Sequence, residues 1–324
     1  MIKVSVNDQP DSLWNDRLFN SGYGSKNQSI EEGKSAQNNN KTPQFITFID
    51  NFDKIVGQLL ISISGRFTEK NLSKKLVGKF FKLKSVVCTW EHGPVIFDSS
   101  YSKEIYQELG DYLISKNYLV SGWQNPLQTD GISILKSKFQ IISWSTFMID
   151  LSQSLDVLFQ NIDKKSGRKN IKRSKERGVN IELITDENLM DFLTLRNNMR
   201  KKQGLPARTF ENFSFWWNLM KPLGLTGFLT RKNNEPIGGL LFSHINNQII
   251  EIAVARSEVD TNEKLYSQDL IKWNIIEWGH NHGLKYYNLA GFNPNPVNDK
   301  EKGIFSYKKK WGGKRYDYFG LKSL

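Results

Sequence analysis

The segment Gly303–Arg315 combines residue types that could stabilise negative charge during a reaction. Three consecutive lysines, Lys308–Lys310, stand among aromatic side chains, and a double glycine follows at Gly312-Gly313. A lysine that aromatic neighbours hold in place can act as a fixed cation beside an oxyanion or a phosphate. The alternative interpretation is a loop and a last strand with exposed lysines.

A second candidate is the segment Asp163–Arg177, in which eight basic residues oppose two acidic ones for a net charge of +6. On a helix, like charges four residues apart repel each other, as Arg168 and Lys172 would. A bound phosphate group would relieve this repulsion. A solvated helix face is the alternative, and the sequence leaves both interpretations open.

Other kinds of chemistry find little support in the sequence. Cys88 lies in an apolar run and is expected to be buried, and no Cys–His spacing predicts a metal site. No G-x-x-x-x-G-K-[ST] motif is present, so an NTPase P-loop is not expected. His280 and His282 end a predicted helix, where they suit the helix dipole.

Length and composition indicate a folded, basic protein. The 324 residues include 40 aromatic ones, and 45 basic against 33 acidic residues give a net charge of +12. This excess predicts an anionic partner, such as nucleic acid, a phosphate group or a membrane surface. Without a secretory signal or an apolar run of spanning length, we expect a cytoplasmic protein.

The elements that position the two basic segments fall into two halves of similar order. The first half is a mixed α/β unit with a helix over Ser102–Ser115. The second half contains the basic helical stretch, a helix, an antiparallel meander, a long helix over Asn262–Asn281 and a strand. Asn233-Asn234 and Asn246-Asn247 suit the meander's tight turns, because asparagine tolerates positive φ.

This element order is typical of the GNAT N-acyltransferase fold. We therefore predict an α/β (α+β) protein with two GNAT-like domains, residues 1–150 and 151–324. Each domain would hold a mixed, largely antiparallel sheet flanked by helices. The first domain follows this order more loosely than the second.

Residues 142–320 also resemble the Fem family, the peptidoglycan interpeptide-bridge aminoacyltransferases and their relatives with paired GNAT-like domains. Three stretches carry the resemblance, in the family's order: Arg168–Ser174 with Gly178-Val179, Gly283–Gly291 and Gly303–Gly312. They are similar to the family's R-x-x-I-[RK]-x-[AS] helix, its G-x-x-x-[FY]-D-L-x-G strand and its G-[IL]-x-x-[FY]-K-x-x-[FW]-G tail. The tail places the family's lysine on Lys308, whereas Asn288 replaces the usual aspartate.

The resemblance implies transfer of an aminoacyl or acyl group onto an amine of a cell-envelope precursor, such as a peptidoglycan peptide or an amino sugar. It implies Lys308 as the catalytic cation that stabilises the tetrahedral oxyanion. Substrate contacts, including those to phosphate groups, are expected from Arg168, Lys172, Arg200, Lys202, Asn288 and Tyr307. No metal ligand is expected.

The donor is expected to be aminoacyl-tRNA, used as a co-substrate, and no cofactor is expected. A CoA-dependent GNAT binds pyrophosphate in a glycine-containing loop after its fourth strand. Here the corresponding stretch, Ala255–Glu263, lacks glycine and carries three acidic residues, which disfavours acyl-CoA. The partners would be a phosphorylated cell-envelope precursor, charged tRNA and, through basic charge, the membrane periphery. A CoA-dependent N-acyltransferase for surface polysaccharide and a non-catalytic RNA-binding module remain alternatives.

Overall fold

The computed structural model describes residues 2–65 and 86–324 of the chain. The chain forms two compact units: unit 1 comprises Met1–Ser145 with Tyr316–Leu324, and unit 2 comprises Thr146–Arg315. The predicted division at residue 150 lies close to this boundary. The last nine residues, however, lie with unit 1, because their strand pairs there.

The elements are numbered in chain order. The strands are β1 (Lys3–Asn7), β2 (Thr42–Ile49), β3 (Ile55–Gly65), β4 (Val86–Trp90), β5 (Val95–Ile96), β6 (Leu119–Trp123), β7 (Gln140–Asp150), β8 (Asn180–Leu183), β9 (Leu225–Lys232), β10 (Glu235–Ile245), β11 (Gln248–Arg256), β12 (Tyr286–Phe292) and β13 (Lys314–Lys322). The described α-helices are α1 (Trp14–Asn20), α2 (Ile30–Asn38), α3 (Ser102–Ser115), α4 (Leu155–Asn161), α5 (Lys169–Glu176), α6 (Leu189–Lys202), α7 (Phe210–Met220), α8 (Glu258–Asn262), α9 (Ser267–Asn281) and α10 (Asp299–Lys309).

Unit 1 contains the strand order β1-β2-β3-β4-β6-β13, with β5 paired to β3. Only the β4–β6 pair is parallel among the pairings described here, so this sheet is mixed and largely antiparallel. Helix α3 packs Ile105, Tyr106 and Leu109 into its core. Cys88 is fully buried in the same core, as predicted, and this burial raises the pKa of its thiol to about 12.

Unit 2 contains the order β7-β12-β11-β10-β9-β8. The predicted meander is present as β9, β10 and β11, and all four turn asparagines, Asn233-Asn234 and Asn246-Asn247, have positive φ. Strand β11 pairs in parallel with β12 over three residues, ending at Ile250 opposite Asn288. The predicted mixed, largely antiparallel sheets with flanking helices are thus confirmed.

Three predicted elements have different bounds in the structure. The long helix over Asn262–Asn281 is interrupted, because Lys264 and Tyr266 adopt positive φ between α8 and α9. The predicted helical stretch Leu155–Arg177, which includes the basic segment, is divided into α4, a π-helical segment Lys164–Arg168 and α5. Most of the tail forms α10 rather than a loop: Asn298 caps its first turn by accepting a hydrogen bond from the Glu301 N–H.

No helix among the described residues has the length and apolar character needed to cross a bilayer.

Candidate active site

Lys308 lies in the last turn of α10, and its side chain reaches the end of β12. Its ammonium group donates hydrogen bonds to the carbonyls of Ala290 (2.9 Å) and Gly291 (2.8 Å). One N–H of the ammonium therefore has no partner among the described residues. Burial lowers the pKa of Lys308 to about 8; Glu251 opposes this effect and Lys272 adds to it. The group can thus hold or release a proton near neutral pH.

The sheet makes room for this lysine because β11 and β12 stop pairing before their ends. Their last paired residues are Ile250 and Asn288, so the carbonyls of Ala290 and Gly291 lie beyond the β11–β12 ladder. Ala290 has a φ of +61°, which breaks the regular strand geometry. Lys308 binds these two carbonyls, and that of Ala290 also accepts a hydrogen bond from Thr146 Oγ1 (3.0 Å).

Asn288 holds this irregular part of β12 in place. Its side-chain oxygen accepts hydrogen bonds from Thr146 Oγ1 (2.6 Å) and from the Ala290 N–H (2.9 Å), and its amide donates to Gln248. Asn288 is buried, with 1% exposure. The expected substrate contact of Asn288 is therefore corrected: the amide is used inside the protein, where it positions the carbonyls that bind Lys308.

Tyr307 precedes Lys308 and lies between two buried ammonium groups. The centroid of its ring is 5.6 Å from Lys272 Nζ and 4.2 Å from Lys310 Nζ. Its hydroxyl oxygen is buried and has no hydrogen-bond partner in the described part of the chain. Burial and nearby carboxylates, Asp269 first, raise the pKa of Tyr307 well above its ordinary value. Its hydroxyl therefore stays protonated at neutral pH and can donate a hydrogen bond.

Two buried ion pairs supply the charge around Tyr307. Lys272 pairs with Glu251, whose carboxylate also accepts a hydrogen bond from the Tyr287 hydroxyl (2.7 Å). Lys310 pairs with Asp269. No sequence motif pointed to these pairs, because their members come from β11, from α9 and from Lys310 just after α10, and they meet only in the folded chain.

The basic segment contacts this region through the backbone and through Lys310. The Asp163 N–H donates to the Lys310 carbonyl (2.8 Å), and Lys310 Nζ donates to the Ser166 carbonyl (3.2 Å). Arg168 itself binds Gln160, and its Nε is buried without a partner among the described residues. Lys172 has a side chain that is 79% exposed and lies 3.6 Å from Glu176. No described contact joins Arg168 or Lys172 to Lys308.

Arg200 and Lys202 lie at the end of α6 in different surroundings. Lys202 pairs with Glu258, which reduces its availability for a phosphate group. Arg200 donates to the Pro206 carbonyl (2.8 Å) and lies near Arg196 and Arg208. Burial and the neighbouring arginines lower the pKa of both Arg196 and Arg208.

These three arginines form a cluster that the sequence did not reveal. Arg196 donates to the Val254 carbonyl (2.9 Å), and the Asn197 side chain binds both backbone groups of Arg208 at 2.9 and 3.0 Å. Among the described residues, none of the three pairs with a carboxylate. The four-residue spacing of Arg196 and Arg200 was a signal for one helix face, but Arg208 joins them only through the α6–α7 loop. Guanidinium groups that repel each other favour the binding of an anion among them.

The N-terminus of α9 is already occupied by a carboxylate of the chain. Asp260, which is fully buried, accepts a hydrogen bond from the Ser267 N–H (2.8 Å) and pairs with Arg256. A helix N-terminus is a common binding position for phosphate groups, and here Asp260 takes that place. Within residues 2–65 and 86–324, no group of His, Cys, Asp and Glu side chains could hold a metal ion.

Comparison with solved structures shows that this architecture is the fold of tandem GNAT proteins. The chain is similar to a tandem GNAT protein from the clavulanic acid biosynthesis pathway (TM-score 0.56, 7% identity, 99% of this chain and 97% of that chain). It is also similar to FemX (TM-score 0.72, 12% identity, 99% and 97% coverage) and to L-PGS from Bacillus licheniformis (TM-score 0.59, 11% identity, 98% and 93% coverage). The predicted Fem-like GNAT fold is confirmed. No protein-family model and no curated protein matches the sequence.

Proposed function

We propose that the protein is an acyltransferase that moves an aminoacyl or acyl group onto an amine of a cell-envelope precursor. The observation that carries this proposal is the placement of Lys308, a partly buried ammonium held at the point where β11 and β12 diverge. A neutral amine that attacks an acyl carbon creates an oxyanion, and the remaining N–H of Lys308 suits that charge. The structural likeness to FemX supports the same reaction class.

The acceptor would be a phosphorylated precursor such as a peptidoglycan peptide or an amino sugar linked to phosphate. The arginine cluster of Arg196, Arg200 and Arg208 supports this proposal, because guanidinium groups bind phosphate oxygens in pairs. Arg168 and Lys172 would add positive charge on α5 and the π-helical segment. This charge also suits a tRNA donor.

The donor would be aminoacyl-tRNA rather than acyl-CoA. The position of Asp260 supports this choice, because a pyrophosphate at the N-terminus of α9 would be repelled by its buried carboxylate. Displacing Asp260 would leave Arg256 without its partner and α9 without its cap. An acyl-CoA-dependent reaction is therefore the second candidate.

A transfer assay tests the proposal. Purified protein would be incubated with charged tRNA or acetyl-CoA, each radiolabelled on the transferred group, and with a UDP-linked peptide or amino sugar. We expect label to reach the amine from charged tRNA and Lys308→Ala to abolish the transfer. Lys309→Ala, on the exposed side of the same helix, is the matched control and should keep its activity.

The same experiment separates an enzyme from a binding module. If the protein binds RNA with a steep salt dependence and transfers no label from either donor, it is a binding module and the proposal is wrong. Transfer from acetyl-CoA alone would establish the second candidate.

A further inference from the structure

The end of α10, which carries Lys308, is joined to three other segments of unit 2 by polar groups. Lys310, directly after α10, forms an ion pair with Asp269 of α9 and donates a hydrogen bond to the Ser166 carbonyl of the π-helical segment (3.2 Å). Asn170 of α5 donates to the same two acceptors, at 2.6 Å to the Ser166 carbonyl and at 3.2 Å to Asp269. Each donor therefore binds both acceptors. The four groups close a polar ring, which consists of Ser166, Asn170, Asp269 and Lys310.

The charged half of the polar ring is enclosed by the protein. The side chains of Lys310 and Asp269 are only 9% and 7% exposed. The aromatic side chains of Tyr307 and Trp311 adjoin the ammonium group, with centroids 4.2 and 5.5 Å from Lys310 Nζ. Moving either partner would leave a charge in this poorly solvated place without its counter-ion, which is costly. The polar ring therefore favours a single arrangement of the segments that it joins.

Helix α10 depends on its C-terminal end for its position. None of its eleven residues is buried as a whole. Phe305 packs against Phe292, with 5.4 Å between the ring centroids. Just beyond the helix, Trp311 is buried, and the Lys310 carbonyl accepts a hydrogen bond from the Asp163 N–H (2.8 Å). The groups that directly follow α10 thus fix its last turn.

Lys308 lies in that last turn, two residues before Lys310. The charged groups that act on the pKa of Lys308 are Glu251, which raises it, and Lys272, which lowers it. The ion pair of the polar ring is not among them. The polar ring can therefore act on Lys308 through position rather than through charge.

We propose that the polar ring positions Lys308 for the transfer reaction, with Lys310, Asp269 and Asn170 as positioning residues. This inference rests on the proposed function, because it names the groups that hold the catalytic ammonium in place. By fixing the last turn of α10, the polar ring keeps this ammonium against the two carbonyls of β12 and leaves its remaining N–H available to the oxyanion. A misplacement of about 1 Å in an active site can cost about 10²-fold in rate.

A double substitution tests the polar ring without leaving a charge unpaired. Lys310→Met together with Asp269→Asn removes the ion pair, whereas either change alone would leave a charge without its partner. In the transfer assay we expect kcat to fall by about 10–100-fold, while the KM of each substrate stays within about twofold of the wild type. The matched control is Lys221→Met with Asp186→Asn, the same substitutions at a pair that has no described contact with α10. The control should keep its kcat.

A titration of Lys308 gives a second result that requires no transfer. Trace labelling with acetic anhydride as a function of pH, followed by tandem mass spectrometry, measures the protonation of this lysine. The midpoint should lie near pH 8 in the wild type and in the control. In the double variant it should rise toward the ordinary pKa of 10.5, because a displaced ammonium regains contact with water.

Asn170→Ala is a second variant of the polar ring. It removes two hydrogen bonds and leaves the ion pair in place, so it disturbs the fold less than the double substitution does. Its kcat and the midpoint of Lys308 should change in the same directions as in the double variant, but by less. This variant decides the question if the double variant does not fold.

The inference is wrong if the midpoint of Lys308 is unchanged in the folded variants, if their kcat equals that of an active wild type, or if the control loses as much kcat. These outcomes are separate from the fate of the proposed function. If the wild type transfers no label, the transferase is refuted, and the titration still decides whether the polar ring positions Lys308. If the wild type transfers label and the midpoint does not move, only the inference is refuted.

Discussion

Replacing Lys308 with methionine should change both the turnover and the pH dependence of stability. Methionine preserves the length and much of the volume of the side chain but removes the charge and the bonds to Ala290 and Gly291. Loss of one oxyanion-stabilising group lowers turnover by about 10²–10³-fold. Turnover of the wild type should also fall above pH 8, as the ammonium loses its proton. Lys308→Arg should move that alkaline limb upward, because arginine stays charged.

The stability effect follows from the pKa difference between the folded and unfolded states. The pKa of Lys308 falls from its ordinary 10.5 to about 8 on folding. Between these values the unfolded chain binds more protons than the folded one, so the wild type gains stability as the pH rises. The full gain is about 3 kcal/mol, at 1.36 kcal/mol for each pH unit, relative to a variant that cannot titrate.

Urea unfolding of the wild type and of Lys308→Met at pH 7.5 and pH 10.5 measures this gain. The difference in unfolding free energy between the two proteins should shift by about 3 kcal/mol in favour of the wild type at the higher pH. Comparing the two proteins cancels the titration of tyrosines and other lysines. A difference that stays constant with pH would show that Lys308 is solvated, and the argument for its tuned pKa would fail.

Other residues of unit 2 give further predictions. Arg208→Ala should raise the KM for a phosphorylated acceptor by about tenfold with little change in melting temperature. Lys201→Ala is the control and should leave that KM unchanged. Equal KM values for the two variants would exclude the arginine cluster as the phosphate site. Asp260→Ala should lower the unfolding free energy by about 2 kcal/mol in urea unfolding, because it removes the cap of α9 and the partner of Arg256. An unchanged urea midpoint of unfolding would refute the capping role. Thr146→Val should lower the unfolding free energy by about 1–2 kcal/mol in the same assay, because Asn288 loses a hydrogen bond. It should also lower kcat without a matching rise in KM, because the Ala290 carbonyl shifts. A normal kcat would contradict the positioning role of Asn288.

Local patterns in the sequence predicted much of the fold. Asparagine pairs predicted the turns of the meander because positive φ is a property of the residue and its neighbours. An apolar run predicted the burial of Cys88, because a residue with apolar neighbours in a strand usually packs into a core. The extent of α10 was harder to predict, because Gly303 favours a loop. In the structure Asn298 caps the helix, and the helix continues past Gly303 to Lys309.

Residues that meet across the fold escaped prediction. Asp260 interrupts the predicted long helix by capping Ser267 from seven positions upstream. The pairing of Glu251 with Lys272, and of Asp269 with Lys310, depends on how β11, α9 and α10 pack. Asn288 was expected at the substrate, because the motif locates it on the strand but does not show that Thr146 and Gln248 use its amide.

The pairing of β13 with β6 also determines the order in which the two units can complete their folding during synthesis. The backbone of Val120 is hydrogen-bonded to Ser323, which follows it by 203 residues. A ribosome adds about 5–20 residues each second, so this part of unit 1 waits about 10–40 s for its last strand. During that interval the exposed edge of β6 offers unpaired backbone groups to other nascent chains. Unit 1, though translated first, is the later of the two to be completed, because it needs residues that follow unit 2 in the chain.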